Sequence, residues 1–212
     1  METAGIKMGR DKFYELLSRH KRLIKKRRKY AYTTDSYHHF KVYKNLLKHR
    51  QLEMAHQGWV SDITYIRAGK EFMYLFLITD AYSRKIVGWD LSRSLAIEGG
   101  ISALKMAVKQ CPATEGLIHH SDRGIQYCSK GYTKLLKKAG IKISMTEENH
   151  CYENATAERV NGILKQEYGL DETFITGKLA VKAVKEAIWS YNTERPHWSL
   201  NLATPEQMHK AA

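Results

Sequence analysis

Trp59-Val60-Ser61-Asp62-Ile63-Thr64-Tyr65-Ile66 reads as a β-strand, dense in β-branched and aromatic residues, with one carboxylate inside it. Arg67-Ala68-Gly69-Lys70 supplies a turn, and Phe72 to Thr79 is a second, almost wholly apolar strand, as in the buried middle of a sheet. Lys85 to Leu91 is a third strand, so the three are expected to form an antiparallel meander. Helical spacing follows: Ile97, Ile101, Leu104 and Val108 recur at i, i+4, i+7 and i+11, and Pro112 stops that helix. Gly116 to His120 is a short fourth strand ending in Ser121-Asp122. Tyr132 to Ala139 is a helix closed by Gly140, and Ile141 to Met145 is a fifth strand. Ala155 to Tyr168 and Leu179 to Tyr191 are two more helices. The pattern predicts an α/β fold with a five-stranded mixed sheet and helices on both faces.

With 212 residues, 43% hydrophobic and 27% charged, the chain suits one packed domain with appendages and not a disordered segment. No uncharged apolar run approaches the ~20 residues that span a bilayer, and residues 1–9 have no apolar signal core. The expectation is a soluble cytoplasmic protein. Cys111, Cys128 and Cys151 form no C-x-x-C pair, which argues against a disulfide framework or zinc knuckle and for ordinary packing. The net charge of +13 is uneven: residues 1–50 hold 15 Lys/Arg against 4 Asp/Glu. Arg10 to His20 reads as a short helix with Phe13, Leu16 and Leu17 on one face. Residues 21–57 read as a basic linker, with Tyr37, Phe40, Tyr43 and Leu46–Leu47 available to cover the main domain. Lys25-Lys26-Arg27-Arg28-Lys29, followed by Tyr30, Tyr32 and Tyr37, combines phosphate-binding cations with stacking rings. A basic arm, residues 1–55, ahead of a nearly neutral body, residues 56–212, points to nucleic acid.

Three carboxylates carry the candidate chemistry. Asp62 lies inside a strand expected to be covered on both faces, where a charge is costly unless paired or bound to a metal. Asp122 ends the fourth strand, where sites gather in open α/β sheets. If the first and fourth strands are neighbours, the two side chains converge, and a divalent cation relieves their repulsion. Oxygen ligands alone suit Mg²⁺. On the helix from Ala155, the residues Glu158, Gly162 and Lys165 lie roughly opposite an apolar face of Ala157, Val160 and Leu164. Periodicity alone makes Glu158 and Lys165 ordinary surface charges. If that face looks into the cleft, Glu158 completes the metal site, Gly162 admits a DNA backbone and Lys165 meets phosphate. Glu98 is the serious rival carboxylate, while Asp80 and Asp90 read as surface or turn residues.

The 59–66 stretch resembles the first catalytic strand of OrfB-type transposases of the IS-three family of bacterial insertion sequences. His119-His120-Ser121-Asp122-Arg123-Gly124-Ile125-Gln126-Tyr127 resembles their second motif. Cys151-Tyr152-Glu153-Asn154-Ala155, Ala157-Glu158 and Leu164-Lys165-Gln166-Glu167 resemble the third. Tyr191-Asn192, Arg195-Pro196-His197 and Thr204-Pro205 resemble the carboxy-terminal signature. The likeness covers about residues 56–208.

The resemblance implies a ribonuclease H-like, retroviral-integrase core. It assigns Asp62, Asp122 and Glu158 as the catalytic metal-binding triad, with two Mg²⁺ ions (Mn²⁺ as substitute), and supports Lys165 as a DNA contact. It implies a transposase that cleaves and joins DNA, acting as a homo-multimer on transposon ends and target in the nucleoid. Family members carry a longer amino-terminal helix-turn-helix region, of which Met8 to about Lys29 resembles the tail. A shortened amino terminus is therefore expected, with an upstream reading-frame product as a possible partner. His120 and Asn154 flank the triad in sequence and are expected either to orient ligands or DNA or to serve as local hydrogen-bond or turn residues. Arg195 and His197 either bind DNA or tie down the carboxy-terminal helix, and the structural role is the favoured expectation. The other readings are a ribonuclease H-like nuclease without joining, and a silent DNA-binding relic.

Overall fold

A computed structural model describes residues 8–20, 22–23, 38–147 and 154–211. The chain divides into two compact units, residues 1–31 and 32–212, a boundary well ahead of the expected 55/56. In the first, α1 (Arg10–Arg19) buries none of its residues and carries a Glu15–Arg19 ion pair one turn apart, at 3.1 Å. The expected phosphate-binding run Lys25–Lys29 lies outside the described residues, as do Tyr30, Tyr32, Tyr37 and Cys151.

The second unit is built on β1 (Gly58–Ala68), β2 (Glu71–Asp80), β3 (Ile86–Ser92), β4 (Ile118–Ser121), β5 (Lys142–Met145) and β6 (Thr173–Phe174). The first three form the expected antiparallel meander, and the order β3-β2-β1-β4-β5 makes the first and fourth strands neighbours, paired parallel. One strand was not expected: the two-residue β6 pairs parallel with the far end of β1, through Arg67 and Ala68. β4 meets β1 only at Gly58, Trp59 and Val60. The β1 edge is thus shared by β4 at one end and β6 at the other.

The helices are α2 (Glu98–Gln110), α3 (Ile125–Cys128), α4 (Lys130–Lys138), α5 (Ala155–Gln166), α6 (Gly177–Thr193) and α7 (Pro205–Lys210). Alternation along β2 assigns them to faces. Phe76 and Ile78 pack with Leu104 of α2 and Tyr132 and Leu136 of α4, whereas Met73, Leu75 and Leu77 pack with Val160 and Leu164 of α5 and Val184 and Ile188 of α6. Helices cover both faces, as expected. Gly88 is required where β3 meets α2, because a methyl there would strike the Ala103 carbonyl oxygen. Gly140 closes α4 at φ +70°, a conformation glycine adopts freely. The segment from residue 38 runs along this unit. Leu46 N donates to Ser144 Oγ at 2.7 Å, and Tyr43 packs on the α2/α4 core. No helix among the described residues is long and apolar enough to cross a membrane.

Candidate active site

Asp62 enters the site from the middle of β1, two residues past the last rung shared with β4, and Asp122 follows the last residue of β4. Asp62 keeps slight solvent access, but its carboxyl sits in low-dielectric surroundings. Burial raises its pKa from 3.8 to about 7, the Asp122 charge adds to the rise, and Glu158 adds less. Two hydrogen bonds oppose this. Asp62 Oδ1 accepts from the Ile63 amide at 2.9 Å, and Oδ2 accepts from Asn161 Nδ2 at 2.7 Å. Asp122 Oδ1 accepts from the Gly124 amide at 2.9 Å, which fixes the turn after β4.

The floor beneath the pair is an aromatic and histidine network. His119 Nε2 lies 2.7 Å from Ser61 Oγ and 2.9 Å from the Tyr132 hydroxyl. Burial holds its imidazole down to about 3, so the ring is neutral at any working pH. Burial raises the Tyr127 hydroxyl well above its usual range, and Tyr132, Asp62 and Asp122 push it further. Tyr127 therefore stays protonated against the carboxylates and contributes no charge.

Glu158 stands exposed in the first turn of α5, and its charge reaches Asp62. Lys165 lies two turns on, its Nζ 3.9 Å from the centroid of the Tyr65 ring. Burial lowers its ammonium pKa, while Asp62 and Asp171 oppose that shift. A Cβ built on Gly162 meets nothing within 4 Å, so this face of α5 is open. The rival Glu98 is exposed on α2, and its charge is not among those shifting Asp62. Among the described residues, no group of three or more His, Cys, Asp or Glu side chains is drawn together closely enough to hold one ion. Asp122 is the nearer influence on Asp62, and Glu158 contributes less to its field.

Two residues weighed as ligand or DNA contacts sit in the interior. His120 is 0% exposed and bonds through Nδ1 to Ser144 Oγ at 2.8 Å, bracing β4 against β5. Asn154 is also buried and donates to the Ser61 carbonyl at 3.1 Å, tying the start of α5 to β1. Neither faces a cleft that DNA could enter. Asp80 is a turn residue, as expected, but not a surface one. It is fully buried and accepts from His56 N, Ser83 N and Ser83 Oγ. Arg195 and His197 are structural, as expected: Arg195 makes a two-pronged bond to Glu167 at 2.6 and 2.8 Å, and His197 packs edge-on against Tyr191. The sequence reading missed Asn161 and Tyr127. A signal for Asn161 existed, since it falls one turn after Glu158 on the side leading to Lys165.

The Integrase core domain family matches residues 52–151, and a second Integrase core domain family matches residues 139–205. A 31 kDa protein of insertion element IS600 from Shigella sonnei is 35% identical over 98% of this chain and 79% of its own length. Transposase InsF for insertion sequence IS3A of Escherichia coli (strain K12) is 33% identical over 85% of this chain. The match spans 63% of that InsF transposase. Among solved structures, the HTLV-2 integrase catalytic core domain in complex with magnesium aligns at a TM-score of 0.59. It covers 74% of this chain and 97% of that one, at 21% identity. A chain of the simian T-cell lymphotropic virus intasome in complex with PP2A regulatory subunit B56 gamma aligns at 0.65, covering 84% of this chain and 61% of that one, at 19% identity. At these identities the structures establish the fold, which is that of retroviral integrase and ribonuclease H.

Proposed function

This chain belongs to the integrase-core transposases of IS3-type insertion elements, and from that premise we propose that it cleaves and joins DNA strands by metal-dependent phosphoryl transfer. The observation that carries the reading is the repulsion between Asp62 and Asp122 on neighbouring strands, with Glu158 adding the same sign. Side chains that resist sharing negative charge are stabilised together by a divalent cation. The donor set fits Mg²⁺, as all the ligand atoms are carboxylate oxygens. The hydrogen bonds from Ile63, Asn161 and Gly124 leave lone pairs on each carboxylate for an ion.

Asp62 and Asp122 hold the metal in this reading, and Glu158 completes the set from α5. When bound, one or two Mg²⁺ ions, with Mn²⁺ as a substitute, neutralise the scissile phosphate and acidify the attacking hydroxyl. Asn161 orients Asp62, Gly162 leaves room for a DNA backbone, and Lys165 meets its phosphate. The basic segment ahead of residue 56, including Lys25, Lys26, Arg27, Arg28 and Lys29, adds charge for the same polyanion, although residues 38–55 fold with the core. In-line attack by water, then by the freed 3′-hydroxyl, needs no Ser or Tyr nucleophile. The magnesium-bound HTLV-2 integrase core and the viral intasome support a metal and a multimeric assembly on DNA. We extend the reading to a homo-multimer in the nucleoid that brings transposon ends to target DNA, with an upstream helix-turn-helix product as partner.

A strand-transfer assay with a transposon-end oligonucleotide and Mg²⁺ tests this. Cleaved and joined products are expected, and both should vanish in Asp122→Asn. Cleavage without joining would instead indicate a nuclease, and no reaction of either kind a silent protein. Loss of activity in Glu98→Gln with Glu158→Gln unaffected would replace the third carboxylate.

A further inference from the structure

A groove of about 480 Å³ opens beside α4 and is floored by Tyr43 and Cys128. One wall is α4, where Lys130, Lys134 and Lys137 recur at i, i+4 and i+7 and so share a face. The other wall is the extended segment carrying Lys41. All four lysines are exposed, and among the described residues none is paired with a carboxylate. Some lysines elsewhere on this unit do pair: Lys48 with Glu147, Lys85 and Lys210 with Glu206, Lys182 with Glu186. The four are also gathered rather than spread. The ammonium groups of Lys41 and Lys137, from opposite walls, lie 5.3 and 5.8 Å from the centroid of the single Tyr43 ring. Two cations brought from two chain segments onto one ring concentrate positive charge along the groove, which favours an anionic occupant.

The groove abuts the turn that follows Asp122. His38 Nε2, at the start of the Lys41 segment, lies 2.8 Å from the carbonyl oxygen of Arg123, the residue after Asp122. Cys128 in the floor approaches the same carbonyl at 3.7 Å, and its thiol pKa is pushed up to about 11, mainly by burial and then by the Asp122 charge. From Lys130 to Lys137, α4 rises ~10 Å, the axial length of about three phosphates on one DNA strand.

We propose that this groove is a phosphate track, holding the backbone of the DNA duplex that leads away from Asp62 and Asp122. The proposal rests on DNA being the substrate. Its place beside the Asp122 turn favours a duplex over a free polyanion, because a strand whose phosphate lies at Asp122 runs onward over neighbouring surface.

The test is the salt dependence of duplex oligonucleotide binding by the full chain. Lys134→Ala/Lys137→Ala is compared with Lys105→Ala/Lys109→Ala, which removes the same charge from exposed positions on α2. Each lost phosphate contact flattens the plot of log affinity against log salt by about 0.9. The α4 pair should flatten it by about 1.8, with the α2 pair close to wild type. Equal slopes for the two variants would overturn the track, as would an α4 effect on heparin binding alone. If the wild-type chain bound no duplex at any salt concentration, the reading of DNA as substrate would fall first. Circular dichroism checks that both variants stay folded.

Discussion

Asp62 is held near the midpoint of its own titration at neutral pH, by burial and by two carboxylates of the same sign. A carboxyl whose folded pKa is about 7 and whose unfolded pKa is near 3.8 binds a proton in the native state that the unfolded chain lacks. Its contribution therefore opposes folding progressively as pH rises from about 4 to 7. Asp62→Asn removes that penalty. Urea unfolding in EDTA should show the variant about 1–3 kcal/mol more stable than wild type at pH 8 and nearly equal at pH 4. The same substitution should lower strand transfer by roughly 10³-fold or more. Asn161→Ala removes the 2.7 Å donor to Asp62 Oδ2 and should raise the Mg²⁺ concentration for half-maximal activity by about 10–100-fold. Unchanged Mg²⁺ dependence would show that Asn161 only packs. Asp62 and Asp122 were legible in the sequence because a charge inside an apolar run needs an explanation. Asn161 was legible only as a position, one turn after Glu158; its role was not, because an amide on a helix serves equally well as packing, cap or surface, and only the distance to Asp62 distinguishes these.

At the scale of elements, the longer strands and helices were legible because each repeats its period several times. β6, α3 and α7 run for 2, 4 and 6 residues, too short for a period to register. Pairing with β1 makes β6 a strand, and a capping box of Thr204 and Gln207 starts α7. His120 and Asn154 lie beside the triad in sequence and yet point into the interior. The neighbouring strand β5 engages His120 through Ser144 Oγ, and the start of α5 spends Asn154 on a β1 carbonyl. The Arg195–Glu167 clamp joins the end of α6 to the end of α5. Arg195→Ala should cost about 0.5–1.5 kcal/mol by chemical denaturation, with strand transfer per folded molecule unchanged. A selective fall in DNA affinity in that variant would return Arg195 to the DNA surface.

Across the whole molecule, histidines set the acid limit. Burial holds His119 down to about 3 and both His197 and His209 down to about 4, and it lowers His56 as well. Each takes up a proton on unfolding between about pH 4 and 6.5 that the native state refuses, so stability rises with pH through that window. Asp62 contributes one proton of the opposite sign. With the three most shifted histidines against one carboxyl, stability should climb between pH 4.5 and 6.5 by up to about 2–3 kcal/mol per pH unit. The urea midpoint measured across that range reads the sign directly. His209→Gln should flatten the climb, since its ring bonds Ser83 Oγ at 2.9 Å and anchors α7 to the β2–β3 turn.

The divided edge of β1 bears on how such a site is switched. Between the last rung to β4 and the first to β6, residues 61–66 have a strand neighbour only on the β2 side. Asp62 projects at that notch, with the Ser61 carbonyl occupied by Asn154 and the Ile63 amide by the Asp62 side chain itself. The width of the notch is set by three ladders anchored on one strand, and it cannot change without breaking backbone bonds. Two of the three carboxylates thus behave as a fixed jaw. α5 is tied to the same strand by side chains alone, Asn154 to the Ser61 carbonyl and Asn161 to Asp62, so those two bonds and not the ladders set where Glu158 stands.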